Sequence, residues 1–346
     1  MKKRFLKKRY IGGVALLAII AGVATWLTGC RDLSEDDVRG KLATNLEEST
    51  AYLATGVMSV ESEDQIHTYL VEVGFAQPHY FRVRMHNEAT GNEQVILKND
   101  EGVFVLTPAL NKQFKFQSDW PLTSSQVYLY QSLLHDLANA ETTAFEVLED
   151  HYVFTIGSSV EETPEYASQV MHFDRHKLVP SFVEVLDAEG VPRLTMEFKT
   201  FEWNTELAED FFVASAIMEL SREVMGDGIV SVVNVADALL YPTYQPDGTS
   251  LIDKTTLATA IGERVIMTFA GTHEFTIIQE TARVREVYAP EVMQGEPVMV
   301  NGTVAAITDN TLTWQRNGVE FFLVSNTLDR DQMVTVAASV SGNYEK

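Results

Sequence analysis

This chain offers chemistry few places to start. It has one cysteine, Cys30, so an internal disulfide is impossible. That thiol follows Leu27-Thr28-Gly29, whose small residues a signal peptidase accommodates, and it is the nucleophile that could carry a thioether-linked diacylglycerol. His172 and His176 are four apart, a spacing that would suit a metal on a helix. Here they flank Asp174 at a strand end, where that spacing does not converge. Glu161-Glu162 and the pair Asp329 and Asp331 could be carboxylates for acid–base work, but they read as solvated loop and helix-cap residues. The chain has no Gly-rich phosphate loop and no Gly-x-Ser-x-Gly elbow. Its eight histidines are scattered without a recognisable Ser or Cys partner. We therefore expect no catalytic residues, no metal ligands and no cofactor.

The surroundings of Cys30 are more specific. Lys2, Lys3, Arg4, Lys7, Lys8 and Arg9 precede an apolar run from Ile11 to Trp26, the order of a secretory signal. With Leu27-Thr28-Gly29-Cys30 at its end, the segment resembles a bacterial lipobox, which predicts cleavage after residue 29 and acylation of Cys30. No other apolar run is long enough to span a bilayer. The expected location is thus the extracytoplasmic face of the cell membrane, held by lipid alone.

Charge sharpens that expectation. The chain of 346 residues carries 26 Lys and Arg against 49 Asp and Glu, a net charge of −23. Loss of residues 1–29 removes six basic groups and no acid, leaving 20 against 49, or −29. Such a body is repelled by phosphate backbones, which argues against nucleic acid. Anionic headgroups repel it too, so covalent lipid must do the tethering.

Periodicity divides the remainder. Ser34-Glu35-Asp36-Asp37 resembles a capping box, and Val38, Leu42 and Leu46, with Leu53 as an extension, have helical spacing. Strand signals follow at 67–75, 80–86, 94–98, 103–107 and 113–117; Phe81, Val83 and Met85 alternate with Arg82, Arg84 and His86. A helix capped by Ser124 or Ser125 carries Leu129, Leu133, Leu134 and Leu137. Strands resume at 145–148, 151–156, 169–173, 181–186 and 194–203. The stretch from Ala214 to Asp237 is mixed. A second β-rich unit then runs through 264–269, 274–280, 297–300, 303–307, 311–315 and 319–324 to a helix capped at Asp329. Asn317-Gly318 is a hairpin signal, and Asn301-Gly302 a turn.

Particular stretches carry a resemblance. Val103-Phe104-Val105-Leu106-Thr107-Pro108 with Leu110-Asn111-Lys112-Gln113-Phe114, then Phe173-Asp174 with Leu178-Val179-Pro180, then Phe201-Glu202-Trp203-Asn204 are similar to LolA-like lipoprotein carrier domains. The run Phe114 to Pro121 followed by Ser124-Ser125-Gln126 resembles the LolA-like sporulation and germination lipoproteins of Gram-positive spore formers. The resemblance covers about half of the chain. It implies a mainly β (α+β) fold: a LolA-like unclosed antiparallel β-barrel with a helical lid, plus a smaller β-rich C-terminal domain. The expected division is a signal peptide at 1–29, a lipidated N-terminus and half-barrel at 30–215, and a linker with the second domain at 216–346.

The resemblance further implies a cavity that can receive an acyl chain, and an envelope partner such as a cell-wall hydrolase. A chain with its own lipid cannot ferry cargo between membranes, so binding or holding is expected. An alternative is the arrangement of RseB-type envelope-stress regulators acting on a membrane signalling protein; a hydrolase is a third. Phe75, Phe81, Met85, Phe104, Phe114, Phe116, Phe154, Phe173, Phe182, Met196 and Phe198 either fill a core or line a cavity. Pattern alone fits both.

Overall fold

Apolar residues at every second position build most of this molecule, because each strand must hide one side and can wet the other. The computed structural model describes residues 32–62, 65–116, 126–140, 143–157, 166–225, 235, 239–260, 262–283, 290–316 and 318–342. Cys30, Ser124, Ser125, Glu161, Glu162, the break at Gly226-Asp227-Gly228 and Asn317 lie outside the described residues. Two units are distinguished, one ending at Lys41 and one running from Leu42 to Lys346.

Helix α1 (Glu35–Glu48) crosses that division. At its start Ser34 Oγ accepts from the Asp37 N–H and Asp37 Oδ2 accepts from the Ser34 N–H, each at 3.3 Å, the reciprocal capping expected there. The helix stops before Leu53, which belongs instead to β1 (Ala51–Ser62). Pairing of β1 with β2 along its length and with β11 from Tyr52 to Val60 overrides the local helical spacing.

The chain continues through β2 (Gln65–Ala76), β3 (Tyr80–Asn87), β4 (Asn92–Asn99), β5 (Gly102–Thr107) and β6 (Lys112–Phe116). Helix α2 (Tyr130–Asn139) precedes β7 (Thr143–Val147), β8 (His151–Gly157), β9 (Ser168–Asp174), β10 (Pro180–Leu186) and β11 (Pro192–Trp203). Helix α3 (Ala214–Met225) follows, within the stretch whose pattern is mixed. Then come β12 (Tyr241–Pro242), β13 (Thr249–Thr259), β14 (Gly262–Gly271), β15 (Phe275–Thr281), β16 (Pro290–Met293), β17 (Glu296–Val300), β18 (Thr303–Ile307), β19 (Thr311–Arg316) and β20 (Val319–Ser325). Helix α4 (Arg330–Ala338) and β21 (Val340–Gly342) end the described chain.

Twelve strands form one open sheet in the order β16-β6-β5-β4-β3-β2-β1-β11-β10-β9-β8-β7. It is two antiparallel meanders joined where β11 returns to β1, with β16 added parallel to β6. Seven strands form a second sheet, β13-β14-β15-β20-β19-β18-β17, and β12 pairs with β21. The fold is thus mainly β, with unclosed sheets and four helices among the described residues.

The two faces of the large sheet are covered differently. On the inner face, Tyr52, Phe75, Phe201 and Trp203 share register rows across β2, β1 and β11. Tyr130 of α2 packs its ring 5.1 Å from Trp203 and 5.6 Å from Phe201, closing this end as a lid. The Tyr52 hydroxyl sits fully buried beneath it, accepting from the Tyr130 N–H at 3.3 Å and donating to Gln131 Oε1 at 2.7 Å. Burial pushes that hydroxyl's pKa well up, so it serves as a neutral hydrogen-bond bridge. The outer face carries Val95, Leu97, Phe104 and Leu106, covered by Ile217 and Met218 of α3. Phe104 therefore points away from Phe75 and Phe114, and Phe182, level with Glu197 and His172, also lies off the inner face. The aromatic residues of the sequence pattern are split between two layers.

Tyr52→Phe keeps the ring and removes both hydrogen bonds. A loss of about 1–3 kcal/mol is expected, measured as a lower urea midpoint at unchanged m-value.

Candidate functional site

The second half of the inner face is covered by the second sheet, and the seam between them holds the site. The alternation of β18, β19 and β20 sends Leu312, Trp314, Phe321 and Leu323 to one side, against Met333, Val334 and Ala337 of α4. The residues between them, Val304, Ala306, Thr313, Gln315 and Glu320, face Gln94, Val105, Thr107, Phe114 and Phe116 across a space of about 20 Å³. Polar contacts fix the register of this docking. Gln94 Oε1 accepts from the Val304 N–H at 2.9 Å. Lys112 Nζ and Glu320 Oε2, both largely buried, lie 3.0 Å apart.

Beyond this contact the seam opens into a pocket of about 290 Å³, walled by His67, Tyr69, Met85, Gln94, Gln315 and Arg316 among others. The turn Asn301-Gly302 builds its rim. Both residues have left-handed backbone, with φ of 48° and 75°. A Cβ on Gly302 would lie 2.7 Å from the Tyr69 ring, so only glycine lets this turn rest on that ring. The Tyr69 hydroxyl donates to the Asn301 carbonyl at 3.1 Å across 232 positions of sequence.

Arg316 ends β19 at the pocket. One terminal N–H donates to the Val340 carbonyl at 3.1 Å, and the other reaches His67 Nε2 at 3.4 Å. Arginine can only donate, so this Nε2 must hold a lone pair and the His67 proton sits on Nδ1. Burial and then the Arg316 charge lower the His67 pKa, keeping the ring neutral. Burial also lowers the pKa of the Arg316 guanidinium, and among the described residues no carboxylate is paired with it. Glu93 contributes to the wall from β4, but its carboxylate lies on the outer face, where Arg84 is 2.5 Å away and Ser221 Oγ donates to it at 3.1 Å.

The candidates from sequence fall elsewhere. His172 lies on β9 with its ring 6.0 Å from His151 and 5.9 Å from Phe182; burial, then His151, lowers its pKa. His176 is exposed in the following turn. Asp174 between them closes that turn, its Oδ1 accepting from the backbone N–H groups of His176 and Lys177 at 2.9 and 2.6 Å. Asp329 caps α4 in a complete capping box with Gln332, and Asp331 occupies the first turn. Among the described residues no three His, Cys, Asp or Glu side chains are grouped to hold a metal. The Arg316 pocket escapes a sequence reading because its walls come from β2, β3, β4 and β19. The one local signal, the Asn301-Gly302 turn, does not say what it rests on.

No family model matches the chain. It is 35% identical over 320 residues to the sporulation protein YdcC of Bacillus subtilis (strain 168), an alignment covering 92% of this chain and 94% of that protein. Among solved structures it aligns with the MucA/MucB complex of Pseudomonas aeruginosa, at 16% identity and a TM-score of 0.32, covering 89% of this chain and 99% of that one. It also aligns with the LolA superfamily protein NE2245 of Nitrosomonas europaea, at 11% identity and a TM-score of 0.31, covering 53% of this chain and 99% of that one. Family membership rests on the sequence relationship.

Two measurements test the seam. Glu320→Ala strands the Lys112 ammonium in a buried place, a loss of about 3–5 kcal/mol, while the Lys112→Met/Glu320→Leu double variant regains most of it in urea unfolding. His67 carries a lowered pKa in the folded state, so unfolded chain binds protons first as pH falls. Stability should be full above about pH 6.5, the ordinary histidine value, and decline as pH falls through the lower folded value. A His67→Gln variant should show a shallower decline in melting temperature.

Proposed function

The chain belongs to the family of the Bacillus subtilis sporulation protein YdcC, and on that premise we propose that it is a non-catalytic, lipid-anchored envelope protein that acts in sporulation or germination by holding a partner. The observation that carries the reading is the relationship itself, which runs through both sheets and nearly the whole of each chain. The segment ending in Leu27-Thr28-Gly29-Cys30 supports the anchor and an extracytoplasmic position. In this reading residues 1–29 are removed, Cys30 takes the lipid, residues 30–215 form the lidded half-barrel and residues 216–346 the second domain.

The geometry favours a protein partner over acyl cargo at the β4–β6 end of the inner face. There the chain's own second sheet occupies the face, and the space where Thr313 and Glu320 meet Val105 and Phe114 is about 20 Å³, too little for an acyl chain. Among the described residues, Asp174 and Asp329 are used in a turn and a cap and His172 in ring contacts, which supports a binding role. An envelope protein such as a cell-wall hydrolase is the partner class that suits a tethered holder at the membrane surface.

Cys30→Ser should leave the membrane fraction while the unaltered chain incorporates labelled palmitate. Cells lacking the gene should form fewer heat-resistant spores or germinate poorly, and crosslinking in sporulating cells should retain an envelope protein on the tagged chain. Membrane retention of Cys30→Ser together with unlabelled wild type would remove the anchor. Normal spore yield and germination would remove the role.

A further inference from the structure

We propose that the pocket between β2, β4 and β19 is a binding subsite for a small oxyanion, a phosphate or carboxylate group, gripped by Arg316. Charged side chains withdrawn from water are normally paired. Arg316 is partly withdrawn, its described protein partners are one carbonyl and one neutral imidazole, and neither carries charge. A guanidinium presents five donors in a planar fork that matches two oxygens of a carboxylate or phosphate. Two of its nitrogens make one contact each, which leaves donors for a ligand.

The surroundings fit the same ligand. His67 holds its proton on Nδ1 and supplies a further N–H among the lining residues. Glu93 of β4 turns its carboxylate to the outer face, toward Arg84 and Ser221, and so does not compete for Arg316. A volume of about 290 Å³ accommodates such a group with its immediate substituents. The chain's net charge of −23 opposes indiscriminate attraction of anions, so any saturable binding must come from a local site. The inference stands apart from the anchor and the sporulation role.

The test uses the full chain in neutral detergent, titrated with inorganic phosphate in one arm and acetate in the other, against sodium chloride at equal ionic strength. Calorimetry and melting temperature are read together. Saturable binding in at least one arm, with a melting temperature above the chloride control, is expected, and the stronger arm identifies the oxyanion. Arg316→Gln should weaken it roughly tenfold to a hundredfold, the scale of hydrogen bonds to a charged group. Arg316→Lys, which keeps the charge and loses the fork, should fall between. His67→Gln should bind less tightly than wild type and serves if Arg316→Gln fails to give a native near-ultraviolet spectrum. Equal behaviour of the wild type in phosphate, acetate and chloride would overturn the proposal. So would native affinity in a folded Arg316→Gln or, if that variant does not fold, in His67→Gln.

Discussion

An open sheet with an apolar inner face cannot stand alone in water. Every second residue of β1 to β6 and of β8 to β11 points the same way, and closing the sheet on itself is one remedy that this chain does not use. It covers the face in two parts. Helix α2 covers the Tyr52, Phe201 and Trp203 end, and the second sheet covers the Val105, Phe114 and Phe116 end. Both covers are apolar contacts pinned by a few polar ones: the Tyr52 hydroxyl under α2, and Gln94 with Lys112–Glu320 under the second sheet. Burial supplies the larger share of the stability, and the hydrogen bonds choose where each cover sits.

The outer face follows another logic. Arg82, Arg84, Glu72 and Glu93 form a ladder of opposite charges across β2, β3 and β4. The Arg82 guanidinium lies 3.5 Å from the centre of the Phe211 ring. Gly74 lies under the same ring, where a Cβ would come within 2.2 Å of it, so the glycine makes room for the segment that leads into α3. Asn99 Nδ2 donates to the Phe212 carbonyl at 3.0 Å, and Ser221 reaches Glu93. Polar groups therefore clamp α3 over a small apolar patch. Arg82 and Arg84 each face a carboxylate, whereas the described partners of Arg316 in the seam are a carbonyl and an imidazole.

Several carboxylates of the described residues are in structural use. Asp174 and Asp187 show how: each accepts backbone N–H groups inside a turn. The Asp187 pKa is lowered first by the Val191 N–H and further by Arg193, and Asp174 is lowered by Lys177 and His176 against the opposing effect of burial. A carboxylate committed in this way holds a hairpin rather than moving a proton.

Much of the strand pattern was legible because alternation is a local property. Phe81-Arg82-Val83-Arg84-Met85 announced β3, Asp329 the cap of α4, and Asn301-Gly302 the turn. Strand β1 was hidden because Leu46 and Leu53 continue a helical spacing, and only pairing with β2 and β11 settles the contest. Strand β13 was hidden because an exposed edge needs no apolar alternation. Which face an aromatic residue occupies was also undecided, since Phe104 and Phe114 look alike until register sets them on opposite sides. The sequence by itself determined the alternating strands, several turns, the acidity and a single cysteine in a signal-like setting, because each depends on neighbours in the chain. The tertiary structure alone decided that the second sheet fills the first, and that Arg316 meets His67 across 249 positions. Such meetings depend on which surfaces remain apolar after each element has formed, and no local pattern encodes that.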